Sequence, residues 1–201
     1  YIAEGENEKA LKICGELFQN AIDYGYLEYA IIANNYISDI YLKRNQIQLA
    51  IEKIEESIKL SKKINNLELL IESEVSYNRF LLDSGKFEEA KRNTEVLLKL
   101  SLDNNLDKNL GNIYNILGLI EYYMGDKDKA LNRYKESIEA FEKNGDFTNA
   151  TKPMNNIANI YEQFAEIEKA MEYYEKGLKI VENQGNPRSK MIFLNNIGSV
   201  Y

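Results

Sequence analysis

Apolar residues recur along this chain in columns forty residues apart. One column is Ile40, Phe80, Ile120, Ile160 and Val200, and a second is Phe18, Ile58, Leu98, Ile138 and Leu178. A third is purely alanine: Ala10, Ala50, Ala90, Ala130 and Ala170. Twelve or thirteen residues ahead of the later alanines stands an apolar residue followed by a small or polar one, in Ile37-Ser38, Tyr77-Asn78, Leu117-Gly118 and Ile157-Ala158, and the pattern returns at Ile197-Gly198. A small residue on one helix and an alanine on the next let two antiparallel helices approach closely. The helix ends are marked as regularly. Positions 5, 25, 45, 65, 85, 105, 125, 145, 165 and 185 are Gly, Gly, Asn, Asn, Gly, Asn, Gly, Gly, Ala and Gly, so nine of ten are residues that readily take the left-handed conformation ending a helix. The pattern predicts an all-α array of antiparallel helix pairs, with turns near each of those positions and a repeat of forty residues. Self-similarity at this length marks a solenoid, in which each unit buries its apolar face against its neighbours.

Two positions break the pattern. Ala165 is the rung without a left-handed residue, and altered turn geometry is expected there. Pro153 falls about six residues inside a helix that should begin near Phe147, which predicts a kink or a late start. Tyr1 and Tyr201 occupy the same slot of the repeat, and neither end carries a polar capping helix. Terminal units of solenoids usually differ from interior ones, so a single array over 1–201 that is a fragment of a longer protein is expected.

The stretch Leu117-Gly118, Gly125-Asp126, Ala130 and Tyr134 resembles a tetratricopeptide repeat, as does Ile157-Ala158, Tyr161, Ala170 and Tyr174. The resemblance spans the chain, with a repeat of forty residues against a usual length of about 34. It implies a right-handed α-solenoid of about five units, similar to the longer repeats of bacterial peptide-sensing regulators. Trp is absent, Glu121 replaces an aromatic that Tyr41 and Tyr161 supply, and Asn78 stands in a small-residue slot.

A net charge of −7 argues against nucleic acid as a partner, since that binding relies on clustered Lys and Arg. Basic residues alternate with acidic ones, as in Lys127-Asp128-Lys129, which makes a solvated face. No apolar run approaches the roughly 20 residues of a membrane span. The single cysteine suits a reducing compartment, and a cytoplasmic location is expected. High Ile, Asn, Lys and Glu usage hints at a bacterium with an AT-rich genome.

Little here points to catalysis. The absence of histidine removes the commonest general base and metal ligand, and the glycines sit at helix ends and packing slots. Cys14 shares a column with Ile54, Tyr134 and Tyr174 and is expected in the core. No catalytic residue, metal or cofactor is expected.

The resemblance implies that the first helix of each pair lines a concave groove. One groove column then reads Asn35, Val75, Asn115, Asn155, Asn195, the next Asp39, Arg79, Leu119, Asn159, Ser199, and a third Leu42, Leu82, Tyr122, Glu162. An asparagine amide offers both donor and acceptor and can pair with any peptide unit. Asn35, Asn115, Leu119, Tyr122, Asn155, Asn159 and Asn195 are therefore the candidate peptide-binding residues, over an apolar floor of Leu82, Leu119, Tyr122 and Tyr123. Lys152 and Arg79 are isolated, which disfavours a clamp on a C-terminal carboxylate. Three readings follow: a non-catalytic scaffold for a protein or peptide segment, a peptide-sensing region of a bacterial regulator, and self-association through exposed ends of the array.

Overall fold

The computed structural model describes residues 2–185 and 187–200, with side chains from residue 7 onward. The described residues form ten α-helices and no strand: α1 (Ile2–Asp23), α2 (Leu27–Lys43), α3 (Ile47–Lys63), α4 (Leu67–Asp83), α5 (Phe87–Asp103), α6 (Leu110–Tyr123), α7 (Lys127–Lys143), α8 (Phe147–Gln163), α9 (Ile167–Asn183) and α10 (Pro187–Val200). Between α1 and α10 every helix is 17 residues long except α6, whose 14 residues follow a 3₁₀ turn of three, Asp107–Asn109. Three linking residues complete the twenty-residue period.

The links from Gly25 to Ala165 are the same device. The rung residue takes a left-handed φ, from 53° at Asn65 and Asn105 to 87° at Gly125. Its N–H and that of the next residue then reach back to carbonyls that the ending helix leaves unpaired: Gly125 N–H to Tyr122 O at 3.0 Å, and Asp126 N–H to Glu121 O at 2.9 Å. The second of those residues also starts the following helix. Asp126 Oδ1 accepts from the Lys129 N–H at 3.1 Å, Asp146 Oδ1 from Asn149 at 3.1 Å, and Asn66 Oδ1 from Leu69 at 3.1 Å. One residue thus closes one helix and opens the next, and the chain reverses in the fewest residues.

Two expectations need correction, and of the kink or late start expected at Pro153 the late start is not found. The turn expected near position 5 is not formed: α1 runs unbroken from Ile2 through Gly5. Glycine permits the left-handed conformation without imposing it, so the helical hydrogen bonds continue there. The Ala165 turn is not altered. Ala165 adopts φ 58°, beside 57° at Asn45, and makes the same pair of bonds, Ala165 N–H to Glu162 O and Glu166 N–H to Tyr161 O, both 2.9 Å. Nor does α8 start late. It begins at Phe147 in register, with Pro153 inside it, so the Asn149 carbonyl lacks the N–H that would normally answer it.

The chain divides into two compact bodies, residues 1–86 and 87–201. In the first, consecutive helices of α1–α4 pack in turn and α2 also touches α4, around Ala50, Ile54 and Phe80 with Tyr41, Leu42 and Tyr77 against them. In the second, α5–α10 pack likewise and α6 also touches α8. Its interior runs from Ala130, Leu131, Tyr134, Ile157 and Ile160 to Ala158, Ala170, Tyr174, Val181 and Phe193. Ala50, Ala90, Ala130 and Ala170 are all fully buried, as close helix approach requires. The small slot at Gly118 admits the Tyr134 ring: a Cβ there would lie 2.5 Å from a ring carbon. Cys14 is half-buried rather than core, because α1 packs on α2 alone within its body.

Two measurements test this account. Ala165→Gly removes a left-handed alanine worth about 1 kcal/mol of strain, so the melting temperature should rise by a few degrees. Gly118→Ala should destabilise by about 1–3 kcal/mol through overpacking against Tyr134. Gly15→Ala, which meets nothing within 4 Å, should stabilise by about 1 kcal/mol through helix propensity alone. Equal signs for the two glycine variants in denaturant melts would contradict the packing role.

Candidate peptide-binding face

The candidate residues fall into both bodies. Asn35 lies on α2 in the first; Asn115, Leu119 and Tyr122 on α6, Asn155 and Asn159 on α8, and Asn195 on α10 belong to the second. In the first body, Ser73 Oγ donates to Asn35 Oδ1 at 3.3 Å across α2 and α4, while Asn35 Nδ2 is buried without a partner. Leu82 is 4% exposed and belongs to the core, not to a groove floor.

In the second body the first helices are joined by polar bonds at a constant offset of 41 residues. Asn156 Nδ2 donates to Asn115 Oδ1 at 3.2 Å, Asn196 Nδ2 to Asn155 Oδ1 at 2.7 Å, and Tyr122 Oη to Gln163 Oε1 at 3.1 Å. The asparagine column therefore helps to hold each first helix to the next, a role that the sequence pattern did not reveal. Its donors Asn156 and Asn196 are themselves forty residues apart, which was the available signal. Asn115 is buried and Asn155 half-buried, each with its amide oxygen engaged, whereas Asn159 and Asn195 are exposed. Leu119 is half-buried against the core of Ala130, Tyr134 and Ile157. Tyr122 stays partly exposed; Tyr123 turns towards α5 and stacks on Phe87, with centroids 5.4 Å apart.

On α8, Asn155, Asn159 and Glu162 stand at i, i+4 and i+7 and share one face. Beneath them lies Tyr174 of α9, a fully buried side chain. Its hydroxyl is 2.6 Å from Asn159 Oδ1 and 2.7 Å from Glu162 Oε2. A phenol carries a single proton. The group is fully satisfied when Tyr174 donates to the carboxylate and the Asn159 amide is turned to donate to the phenol oxygen. Ser199 Oγ of α10 donates to the Asn196 carbonyl at 2.7 Å and lies 3.2 Å from Glu162 Oε1, so its one proton is shared between them. Burial, then the hydrogen bond and charge of Glu162, push the Tyr174 phenol well above its ordinary range.

Other acids of this body have lysine partners. Glu121, 5% exposed in its aromatic slot, pairs with Lys91 of α5 at 2.9 Å. Glu166 accepts from Lys127 at 2.8 Å and from Lys169 at 2.7 Å, and those bonds hold its carboxyl down at about 2. Lys127 also lies 3.7 Å from the Phe164 ring centroid, which braces the strained Ala165 turn from both flanks. Among the described residues no three His, Cys, Asp or Glu side chains converge as metal ligands. No described helix is long and apolar enough to cross a membrane.

With the geometry in hand, comparison with known proteins is direct. Residues 110–183 match the sequence model of the tetratricopeptide repeat family. A protein of Porphyra purpurea, described as uncharacterized protein ycf37, is 27% identical over 171 residues, 83% of this chain and 90% of that protein. The crystal structure of BtubC (BKLC) from P. vanneervenii superposes with a TM-score of 0.75 at 19% identity, over 97% of this chain and 83% of that one. The Rap conjugation gene regulator of plasmid pLS20, solved in complex with the Phr* peptide, gives 0.80 at 18% identity, over 96% of this chain and 53% of that one. These structural likenesses show the fold, an all-α solenoid of helix pairs.

The buried phenol predicts the alkaline limb of stability. Tyr174 ionises more readily when unfolded, near the ordinary tyrosine value of about 10, than when folded. Its contribution is therefore complete below pH 10 and falls away above it, because the unfolded state then releases the proton first. Chemical melts between pH 9 and 11 should show a steeper loss for the native chain than for Tyr174→Phe; parallel curves would refute the assignment.

Proposed function

We propose that this chain, whose residues 110–183 match the tetratricopeptide repeat model, is a non-catalytic scaffold holding a peptide or protein segment against the exposed faces of its first helices. The observation that carries the reading is the run of amide groups along α8 and α10. Asn159 and Asn195 are exposed, and Asn155 lies beside them with its oxygen engaged by Asn196. Amides at helical spacing can pair with backbone N–H and C=O groups of an extended segment whatever its side chains. Asn115, Leu119 and Tyr122 complete the candidate set of this body, and Asn35 is a candidate on the first body by itself; in this reading Asn115 orders the face and Tyr122 offers it an apolar edge. The lone, half-buried Cys14 suits a reducing compartment such as the cytoplasm.

A second reading, as a peptide-sensing region of a signalling protein, is favoured by the likeness to a Rap regulator solved with a bound peptide. In that case the segment would bias an attached output domain. Both readings use the same face.

Asn195→Ala is the cleaner probe, since Asn195 is exposed, whereas Asn155→Ala also strands the Asn196 amide. In a peptide-array screen with residues 1–201, both variants should lose a captured ligand while keeping their helical circular dichroism. Unchanged capture would remove the asparagines from the site.

A further inference from the structure

Glu162 differs from Glu121 and Glu166 of its body in what it meets. It is half-buried on α8 and accepts a hydrogen bond from the neutral hydroxyl of Tyr174 at 2.7 Å. The Ser199 hydroxyl, whose shorter bond of 2.7 Å goes to the Asn196 carbonyl, is a weaker second donor at 3.2 Å. Among the described residues no lysine or arginine pairs with it, although Glu121 and Glu166, also shielded from water, each have lysine partners. Two neutral donors orient a carboxylate but leave its charge uncompensated, and a partly desolvated charge of that kind is costly until a cation meets it. Two of its roughly four lone-pair directions remain open. Asn159, one turn earlier on the same face, is exposed. The arrangement is a fixed anion beside a fixed amide, on the face where the peptide is placed.

We infer that Glu162, held by Tyr174 and Ser199, is a specificity-determining anchor for a basic side chain, arginine or lysine, of the bound segment, while Asn159 pairs with the segment's backbone. This rests on the reading of the α8 and α10 face as a peptide site. A guanidinium or ammonium makes charge-assisted bonds to the open lone pairs, and the guanidinium can do so through two parallel N–H groups. Tyr174 is a positioning residue: its buried hydroxyl fixes the carboxylate without reaching the ligand.

The test is a library of N-acetylated, fluorescently labelled peptides with one position fixed as Arg, Lys, citrulline or Glu, titrated against residues 1–201 by anisotropy. Acetylation prevents a free α-amine from standing in for the side chain. Arg and Lys sublibraries should bind about tenfold more tightly than citrulline, with Glu weakest. That preference should weaken as salt is raised. Glu162→Gln keeps an acceptor for Tyr174 and Ser199 and should abolish the preference. Should it unfold, Glu162→Asp, which keeps the charge and shortens its reach, should reduce the preference instead. Peptide binding with no basic preference, or a preference that survives Glu162→Gln, overturns the anchor and leaves the scaffold standing. Failure of every peptide to bind the native chain overturns both.

Discussion

At each twentieth position from Gly25 to Gly185 the chain leaves its helix through one left-handed residue, and everything else in the structure depends on that reversal. From Gly25 to Ala165 the next N–H returns to a carbonyl of the finished helix, and at Asn66, Asp126 and Asp146 the same residue caps the following one. Because only three residues are used, consecutive helices within each body lie antiparallel and side by side. That proximity is what makes fully buried alanines and glycines necessary where the helices meet. The turn is strong enough to force alanine into the same conformation at position 165, where the side chain resists it.

Repetition then converts local geometry into a surface. With first helices spaced by one repeat, residues 41 apart come within hydrogen-bonding distance, and Asn115, Asn155 and Tyr122 are drawn into cross-helix bonds. A ladder of this kind specifies register, since a slip of one residue would leave half-buried amides unpaired. It also orders the face that would receive a ligand. Amides already fixed by their neighbours lose little freedom on binding, which favours a preorganised site.

The candidate site was partly legible for a simple reason. Column membership follows from helical periodicity, so Asn155, Asn159 and Glu162 could be put on one face of α8 from spacing alone. What periodicity cannot supply is the partner from the other helix of the pair. Tyr174 was read as a core residue, and its ring is core; that its hydroxyl emerges between Asn159 and Glu162 depends on how α9 lies under α8. Leu82, from its column, and Tyr123 are both expected on a groove floor. One is core, and the other is drawn aside by Phe87.

The amino-acid sequence by itself determined the all-helical class, the period, and the nine turns from Gly25 to Gly185. Each of these is a local matter of backbone conformation and of which face is apolar. Gly5 marks the edge of that competence, because a permissive residue states what the backbone can do and only the surrounding hydrogen bonds decide what it does. The tertiary structure alone decided which asparagines are engaged and which are exposed. It also decided which buried acid meets a lysine, and that Glu162 meets none. Those outcomes depend on distances between helices forty residues apart in sequence, and no pattern along one helix contains them.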